Sequence, residues 1–459
     1  MTNIQELKRY KKIYMIGIGG VSMSGIAEIL KNWGFSVSGS DISASEVTDK
    51  LISNGIDVSI GHNLSKLSQA DLVIFSAAIQ NNDIELVEAH KLGIPVVERA
   101  DFLGEITKCF RNTLCVSGTH GKSTTTSMLS MCFLEAKKDP TIQIGAALDA
   151  IDGNYKVGNS DFFILEACEY VESFLKFFPK AEIILNIDND HLDYYGSLDN
   201  IKASFIKYVK LLPDDGILVY NADDENCSHL SQYTKAKSLT FGINSSNANF
   251  VAKNISFDKN GFPSFDVYYN NTFYKTMKLS VPGKHNVLNA LSCIALCNEF
   301  GLDKNDIKNA LQKYKGAHRR FEYIGEFNDV KVYDDYGHHP TEINAVYDAL
   351  SKKNYNHSWV IFQPHTYSRT KELLDEFASS LMKFDNIVVT DIYAAREKNT
   401  YGISAKDIVE KIDSMGRTAY YIPNFDDIVE FIKRNAKPDD IVLTQGAGTI
   451  TQIGPKLVD

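Results

Sequence analysis

The residues with the clearest chemical signature form a glycine-rich loop, Gly118-Thr119-His120-Gly121-Lys122-Ser123, called here the phosphate loop. The apolar segment TLCVS precedes it and a helical stretch follows, which is the strand–loop–helix order of a phosphate site. In such a loop the backbone amides cradle phosphates, the lysine adds a positive charge, and the hydroxyl holds Mg²⁺. The loop departs from GxxxxGK[ST], because Val116 stands where that pattern has glycine. We predict that ATP phosphates contact residues 118–123 and Thr124.

Candidate metal ligands follow two other predicted strands. Glu166 ends the segment FFILEA, and His191 follows AEIILNID. Because Mg²⁺ prefers oxygen ligands, Glu166 joins Ser123 as a candidate. A lone histidine is more often a hydrogen-bonded loop residue, so the residue pattern alone leaves His191 open.

A first glycine loop, Gly17–Ser22, also follows a predicted strand and opens a helix. Its backbone could approach a diphosphate, and Asp41 at the end of the next strand could contact a ribose. A strict GxGxxG pattern has glycine where Ser22 stands, so NAD binding is possible but not required. A tight turn without a ligand remains the alternative.

The elements around these loops predict an α/β fold of three domains. Strands and helices alternate over residues 13–100, including a helix at Ser24–Trp33, and a second alternation starts at Asn112. Short strands with turn signals over Phe250–Leu279 predict an antiparallel appendage. GAHRRFEYIG resembles a linker into a third alternation, whose strands in VKVYDDYG, SWVIFQPH, NIVVTDIY and DIVLTQGAG end at polar residues, where ligands bind in such sheets. The predicted domains are 1–108, Rossmann-like; 109–316, of P-loop ATPase type; and 317–459, Rossmann-like.

Composition narrows the classes of function. The 459 residues are 44% apolar and 23% charged, with a formal net charge of −10. This balance is typical of a globular protein and offers no broad basic surface for nucleic acid. The N-terminal apolar run is too short for a signal sequence or a membrane span, so we expect a cytoplasmic protein without membrane insertion. Seven cysteines without a CxxC pair favour reduced thiols.

Taken together, the motifs resemble the Mur ligases of peptidoglycan synthesis. The resemblance runs the whole chain and is carried by GIGGVSMSGIAE (17–28), GTHGKSTTT (118–126), EACEY (166–170), NIDNDHLD (186–193), GKHNVLNA (283–290), HRRFE (318–322), DDYGHHPTE (334–342) and QPHTYSRT (363–370). Each motif is weak or moderate alone, but their joint order is specific. DDYGHHPTE is typical of the member that adds L-alanine to UDP-N-acetylmuramate, or of its close relative, the murein-tripeptide recycling ligase.

The resemblance implies a role for each matching residue. For the UDP-sugar these are Gly17, Gly19, Gly20, Ser22, Asp41 and Ser76. For ATP, beyond the phosphate loop, they are His285, Asn286, Asn289, Arg320 and Asp335. The implied Mg²⁺ ligands are Ser123, Glu166 and His191, and Tyr336, His338 and Arg369 are placed at the amino-acid end. Lys122, His191, Arg320 and His338 are the implied catalytic residues.

Two departures from family patterns affect these assignments. Thr366 stands where some relatives have arginine, which places more of the amino-acid carboxylate recognition on Arg369. Ile206 stands where several Mur ligases carry a carbamylated lysine, so we predict no carbamate.

The implied reaction is an ATP-dependent ligation that forms a carbon–nitrogen bond through an acyl phosphate, with ATP and Mg²⁺ required. The implied substrates are small molecules, UDP-N-acetylmuramate, L-alanine and ATP, acted on by a monomer or homodimer whose C-terminal domain closes over the other two. Either His191 or His338 could accept the amine proton. Two other classes of protein account for only one of the two glycine-rich loops. A P-loop switch or motor ATPase does not require the first glycine loop, and an NAD-dependent oxidoreductase does not require the phosphate loop.

Overall fold

A computed structural model describes residues 2–76, 78–395 and 397–459. The chain divides into two compact units. The first runs to Val251 and includes Leu291–Ala310, and the second comprises Ala252–Ala290 and Leu311–Asp459. Within the described ranges, no helix combines the length and apolar character needed to cross a bilayer. Sheets of mainly parallel strands, flanked by helices, confirm the predicted α/β fold class.

The first sheet is wholly parallel, in the order β3-β2-β1-β4-β5. Its strands are β1 (Lys12–Ile16), β2 (Ser36–Asp41), β3 (Asp57–Ile60), β4 (Leu72–Phe75) and β5 (Val96–Glu98). Its helices are α1 (Thr2–Leu7), α2 (Val21–Asn32), α3 (Glu46–Ser53), α4 (Leu64–Leu67), α5 (Ile84–Lys91) and α6 (Arg99–Thr107). Because Ile16 is in register with Ser40 and Phe75, the chain emerges at Gly17, Asp41 and Ser76 along one sheet edge.

Seven of the ten strands of the second sheet lie in the first unit, in the order β12-β11-β10-β6-β9-β7-β8. Its strands are β6 (Asn112–Ser117), β7 (Thr141–Leu148), β8 (Gly153–Lys156), β9 (Phe162–Glu166), β10 (Ala181–Ile184), β11 (Ile217–Asn221) and β12 (Lys237–Gly242). The helices are α7 (Lys122–Glu135), α8 (Leu192–Tyr195) and α9 (Leu198–Val209). Central strands rich in Val, Ile and Leu are buried on both faces, as parallel strands between helices must be. The antiparallel pair β7–β8 was not anticipated from the sequence.

Three strands follow: β13 (Phe250–Phe257), β14 (Pro263–Tyr269) and β15 (Thr272–Lys278). The start of β13 pairs with β12 in parallel, and β14 and β15 form an antiparallel hairpin, which confirms the predicted antiparallel segment. Asn270 and Asn271 close this hairpin, both with positive φ, a conformation that asparagine tolerates. Helices α10 (Lys284–Glu299) and α11 (Lys304–Lys313) come next.

The third sheet lies in the second unit, in the order β16-β17-β21-β18-β19-β20. Its strands are β16 (Glu322–Phe327), β17 (Val330–Asp335), β18 (Ser358–Phe362), β19 (Asn386–Val389), β20 (Tyr420–Tyr421) and β21 (Ile441–Gln445). Its helices are α12 (Pro340–Leu350), α13 (Tyr367–Glu372), α14 (Leu374–Leu381), α15 (Ala405–Ser414), α16 (Phe425–Asn435) and α17 (Ile453–Val458).

The predicted linker over residues 316–325 is wrong in its second half. Strand β16 begins at Glu322 and pairs antiparallel with β17. The two strands are joined at Asn328 and Asp329, which both have positive φ. An Asn-Asp pair between two apolar segments is a hairpin signal, and it outweighs the polar character of HRRFE.

Candidate active site

The phosphate loop has the backbone that its sequence predicts. Gly118 has φ +133° and Gly121, the N-cap of α7, has φ +87°. A Cβ on Gly118 would lie 3.0 Å from Leu185 Cβ and 3.1 Å from the Asn186 backbone nitrogen, so glycine is needed there for space as well as for φ. The loop leads directly into α7, and the first N–H groups of a helix have no intrahelical acceptor and attract anions.

The segment after β10 holds this loop in place. Asn186 clamps His120, since its Oδ1 accepts from the His120 N–H at 2.8 Å and its Nδ2 donates to the His120 carbonyl at 3.0 Å. The backbone N–H of Asp188 donates to Thr119 Oγ1 at 2.9 Å, and the Asp188 carboxylate lies 3.0 Å from His120 Nε2. Asn186 and Asp188 both lie within the NIDNDHLD motif, but neither was predicted from the sequence to support the loop.

Lys122 is held by a buried acidic partner, Glu169. The lysine Nζ lies 3.0 Å from Glu169 Oε1 and 2.9 Å from Oε2, and it also donates to the carbonyls of Gly118 and Thr119. Desolvation alone would lower the pKa of Lys122, but the surrounding negative charge, chiefly that of Glu169, outweighs it and raises the pKa. The ammonium group is therefore charged at neutral pH. Glu169 was quoted within EACEY but assigned no role.

Two of the predicted metal ligands lie side by side. The Ser123 hydroxyl donates to Glu166 Oε2 at 2.8 Å, and the same oxygen accepts from the Gly145 N–H at 2.9 Å. Octahedral Mg²⁺ with bonds of about 2.1 Å places neighbouring ligand oxygens about 2.9 Å apart. The spacing and the chemistry of these two oxygens therefore fit a magnesium ion.

His191 is the N-cap of α8 and has a left-handed conformation, with φ +56°. Its ring contacts that of Tyr170, with centroids 4.5 Å apart, and its Nε2 lies 3.9 Å from Glu169 Oε1 and from Asp190 Oδ2. Positive φ is uncommon for histidine and is seen where surrounding structure imposes it, often at functional sites. Glu169 thus stands between Lys122 and His191, and the phosphate loop and the histidine form one cluster.

In the first glycine loop, Asp41 is used to hold the backbone. Its Oδ2 accepts from the Gly19 N–H at 2.9 Å, while the N–H of Gly17 donates to the Ser40 carbonyl at 2.9 Å. A Cβ on Gly17 would lie 3.5 Å from that of Ser76, so Ser76 lies against this loop.

Ser22 has partners beyond the loop. Its Oγ accepts from Gln143 Nε2 on β7 at 2.6 Å and from Arg99 Nη1 at 3.2 Å. Neither partner was identified from the sequence. The hydroxyl thus links the start of α2 to the second sheet.

In the second unit, Asp335 organises the predicted nucleotide contacts. Its carboxylate, 5% exposed, accepts from the backbone N–H groups of Gly337 at 2.7 Å and Phe321 at 2.9 Å. Burial raises the pKa of Asp335 to about 7, opposed by the nearby guanidinium of Arg320. The Arg320 guanidinium lies 5.1 Å from the ring centre of Tyr336, so Arg320, Asp335 and Tyr336 form one group.

The residues predicted at the amino-acid end join this group. His338 Nδ1 lies 3.2 Å from the Tyr336 carbonyl, and its ring centre lies 5.2 Å from that of His365. His365 Nδ1 is in turn 3.2 Å from Arg369 Nη1. His365, which the sequence analysis did not single out, connects His338 to Arg369.

The predicted adenine-side residues lie at the start of α10. Asn286 Nδ2 donates to the Pro282 carbonyl at 2.7 Å, and Asn289 Nδ2 donates to Asn286 Oδ1 at 3.1 Å. Desolvation lowers the pKa of His285 to about 4, against the charge of Asp348, so this ring is neutral at pH 7.

Comparisons with known proteins point to one family. The sequence matches the Mur ligase catalytic domain over residues 12–111, the Mur ligase middle domain over 116–297, and the Mur ligase glutamate ligase domain over 319–448. It is 48% identical over 452 residues to the UDP-N-acetylmuramate–L-alanine ligase of Acetivibrio thermocellus, covering 98% of this chain and 96% of that one. The corresponding ligase of Caldanaerobacter subterraneus is 46% identical, covering 99% of this chain and 98% of that one. The crystal structure of UDP-N-acetylmuramate-alanine ligase from Thermotoga maritima superposes with a TM-score of 0.82 at 31% identity, covering 97% of this chain and 98% of that one.

Proposed function

The chain belongs to the Mur ligase family, and from this premise we propose that it joins L-alanine to the lactyl carboxylate of UDP-N-acetylmuramate, with cleavage of ATP to ADP and phosphate. Similarity over almost the whole chain to ligases named for that activity supports the choice of substrates. We place the reaction in the cytoplasm, where ATP is available.

The proposed reaction is supported chiefly by one cluster of side chains. Lys122, Ser123, Glu166, Glu169 and His191 come from three separate segments and meet where β6, β9 and β10 end. Such a cluster of a charged lysine, a hydroxyl and carboxylates beside a helix start is what transfer of a phosphoryl group requires.

The first step activates the carboxylate. A carboxylate is a poor acyl donor, so its oxygen attacks the γ-phosphorus of ATP, the bond to ADP breaks, and an acyl phosphate forms. Two anions must approach each other, and the ammonium of Lys122 offsets their repulsion. Bound Mg²⁺, held by Ser123 and Glu166 with His191 as a further candidate ligand, would neutralise additional phosphate charge.

In the second step the neutral amine of L-alanine attacks the acyl carbon, and phosphate leaves. The amine must lose a proton to a base. His338 suits this role, because its Nδ1 faces the Tyr336 carbonyl and an N–H there leaves the lone pair on Nε2. His191 remains the other candidate.

We propose the remaining roles from the matching motifs. Residues 1–108 bind the UDP-sugar through the first glycine loop, Asp41 and Ser76; residues 109–316 bind ATP; and residues 317–459 supply Arg320 and Asp335 to the nucleotide. Tyr336, His338 and Arg369 then recognise the amino acid.

Phosphate release measured with a substrate panel tests the proposal. The protein is given ATP, Mg²⁺ and UDP-N-acetylmuramate, and then L-alanine, L-serine, glycine or the murein tripeptide. Release that depends on L-alanine is expected. Release that depends on the tripeptide alone would instead identify the recycling ligase, and release independent of any amine would contradict a ligase.

Lys122→Ala tests the phosphate loop. We expect phosphate release to fall on the order of 100-fold or more, because the charge that offsets phosphate repulsion is lost. Binding of UDP-N-acetylmuramate, measured by calorimetry, should stay nearly unchanged, since the first glycine loop is a separate structure. Retained turnover would refute the role given to Lys122.

A further inference from the structure

Glu169 is a buried carboxylate of the phosphate-loop cluster, and neither reaction step above gives it a role. Its side chain is 2% exposed and that of Lys122 is 12% exposed, and both carboxylate oxygens face the ammonium group at 2.9–3.0 Å. Removing one partner of such a pair leaves a buried charge unpaired, which is costly.

The donors of Lys122 are fully used in this arrangement. An ammonium group has three N–H donors, and here they serve the carbonyls of Gly118 at 2.7 Å and Thr119 at 3.0 Å and the carboxylate of Glu169. A phosphate can therefore gain a hydrogen bond from Lys122 only if one of these acceptors gives one up.

Of the three acceptors, only the carboxylate competes with an incoming phosphate as a second anion. The two carbonyls belong to the phosphate loop and carry no net charge. The carboxylate is an anion, and it repels an incoming triphosphate while it attracts the same ammonium.

We propose that Glu169 is a positioning residue that holds Lys122 in the nucleotide-free site and releases it to the phosphates when ATP binds. The inference rests on the proposed function for the identity of the nucleotide. It makes ATP compete with a carboxylate of the protein for one cation.

The exchange also explains why Glu169 lies beside His191. Once Lys122 moves, the Glu169 carboxylate loses its partner cation, and its Oε1 lies 3.9 Å from Nε2 of His191. A divalent cation bound near this ring would neutralise the Glu169 carboxylate in place of Lys122. Glu169 therefore weakens binding of ATP alone more than binding of ATP with Mg²⁺.

Calorimetric titration of the full chain with ATP in EDTA tests this inference. In Glu169→Gln the competing charge is absent, and the dissociation constant for metal-free ATP should fall about tenfold or more, as expected for loss of a close buried charge pair. The gain in affinity on adding Mg²⁺ should shrink in the same variant. Unchanged or weaker binding of metal-free ATP would overturn the proposal. That is the result expected if Glu169 has a purely structural role.

Two further variants keep the test decisive. Glu172→Gln removes a carboxylate three residues away that pairs with Lys207 at 2.8 Å, and it should bind as the wild type does. Glu169→Asp keeps the charge but shortens the side chain, and its dissociation constant for metal-free ATP should lie between those of the wild type and Glu169→Gln. If Glu169→Gln does not fold, a wild-type affinity for metal-free ATP in Glu169→Asp overturns the proposal. The titration contains no sugar or amino acid, so its failure is separate from failure of the ligase assay.

Discussion

At the scale of single residues, burial sets charge states that residue type alone would not predict. Lys122 stays charged because Glu169 accompanies it into the interior, whereas desolvation leaves His285 neutral, with a pKa of about 4. Burial brings the pKa of Asp335 to about 7, where it titrates near physiological pH. Lys122 is therefore a permanent cation near neutral pH, while Asp335 changes charge with pH.

Asp335 should make the stability of the nucleotide-free protein depend on pH. Its pKa rises from 3.8 to about 7 on folding, so its contribution to stability is full below about pH 4 and is lost as pH rises through about 7. At about 1.4 kcal/mol per pKa unit, the loss is on the order of 4 kcal/mol. Asp335→Asn removes this titration.

Denaturant unfolding of both proteins at pH 4.5 and pH 8, without nucleotide, measures the difference. The free energy of unfolding of Asp335→Asn relative to wild type should rise by a few kcal/mol between these pH values, on the order set by the pKa shift. A difference that does not change with pH would mean that Asp335 is already ionised in the folded protein.

At the scale of elements, β10 carries an unusual residue in an otherwise apolar strand. Glu182 is fully buried, in register with Cys115 on β6 and Leu218 on β11. Among the described residues neither of its carboxyl oxygens has a hydrogen-bond partner, and burial raises its pKa well above the usual value. Burial in this strand therefore favours the protonated form of the side chain, and burying an unpaired polar group costs stability.

Glu182→Met should stabilise the protein at pH 7 by about 1–3 kcal/mol, because an apolar side chain of similar length needs neither a proton nor a hydrogen bond there. Thermal and denaturant unfolding would measure the gain. Glu182→Gln is the matched control, since it removes the titration but leaves a polar amide, and it should gain less. A loss of stability in Glu182→Met would show that the carboxyl has a stabilising partner.

At the scale of the whole molecule, polar contacts join the first two sheets within the first unit. Gln143 on β7 donates to the Ser22 hydroxyl, Asn154 Nδ2 donates to the Val21 carbonyl at 2.8 Å, and Tyr155 donates to Glu28 at 3.2 Å. All reach α2, the helix that follows the first glycine loop. The position of that helix is thus tied to the sheet that carries the phosphate loop.

Gln143→Ala should weaken this connection. The side chain is 7% exposed and its hydrogen bond measures 2.6 Å, so we expect a loss of about 1–2 kcal/mol in stability. Hydrogen exchange should speed up at the amides at the start of α2. Gln69→Ala is the control: it removes an exposed hydrogen bond to Ser65 and should leave both stability and exchange unchanged. Equal effects from the two variants would contradict a specific link between α2 and the second sheet.

Much of the fold and part of the candidate site follow from the sequence alone. The alternation of apolar strands with helices predicts the α/β class, and the phosphate loop is readable because its glycines, lysine and serine are adjacent in the chain. A strand end identifies Glu166, since parallel strands bring their carboxyl ends to one edge, whereas Asp335 was assigned from the resemblance to the Mur ligases. These signals are local or periodic, so they can be recognised without knowing which strands are neighbours in the sheet.

Tertiary structure decided the partners of those residues. Lys122 meets Glu169 across 47 residues, His120 meets Asn186 across 66, and Ser22 meets Gln143 across 121, through the sheet order and the packing of α2. Charge states at Asp335 and Glu182 likewise depend on burial by segments distant in sequence. Local sequence patterns do not specify such pairings, because many strand orders are compatible with the same alternation of strands and helices.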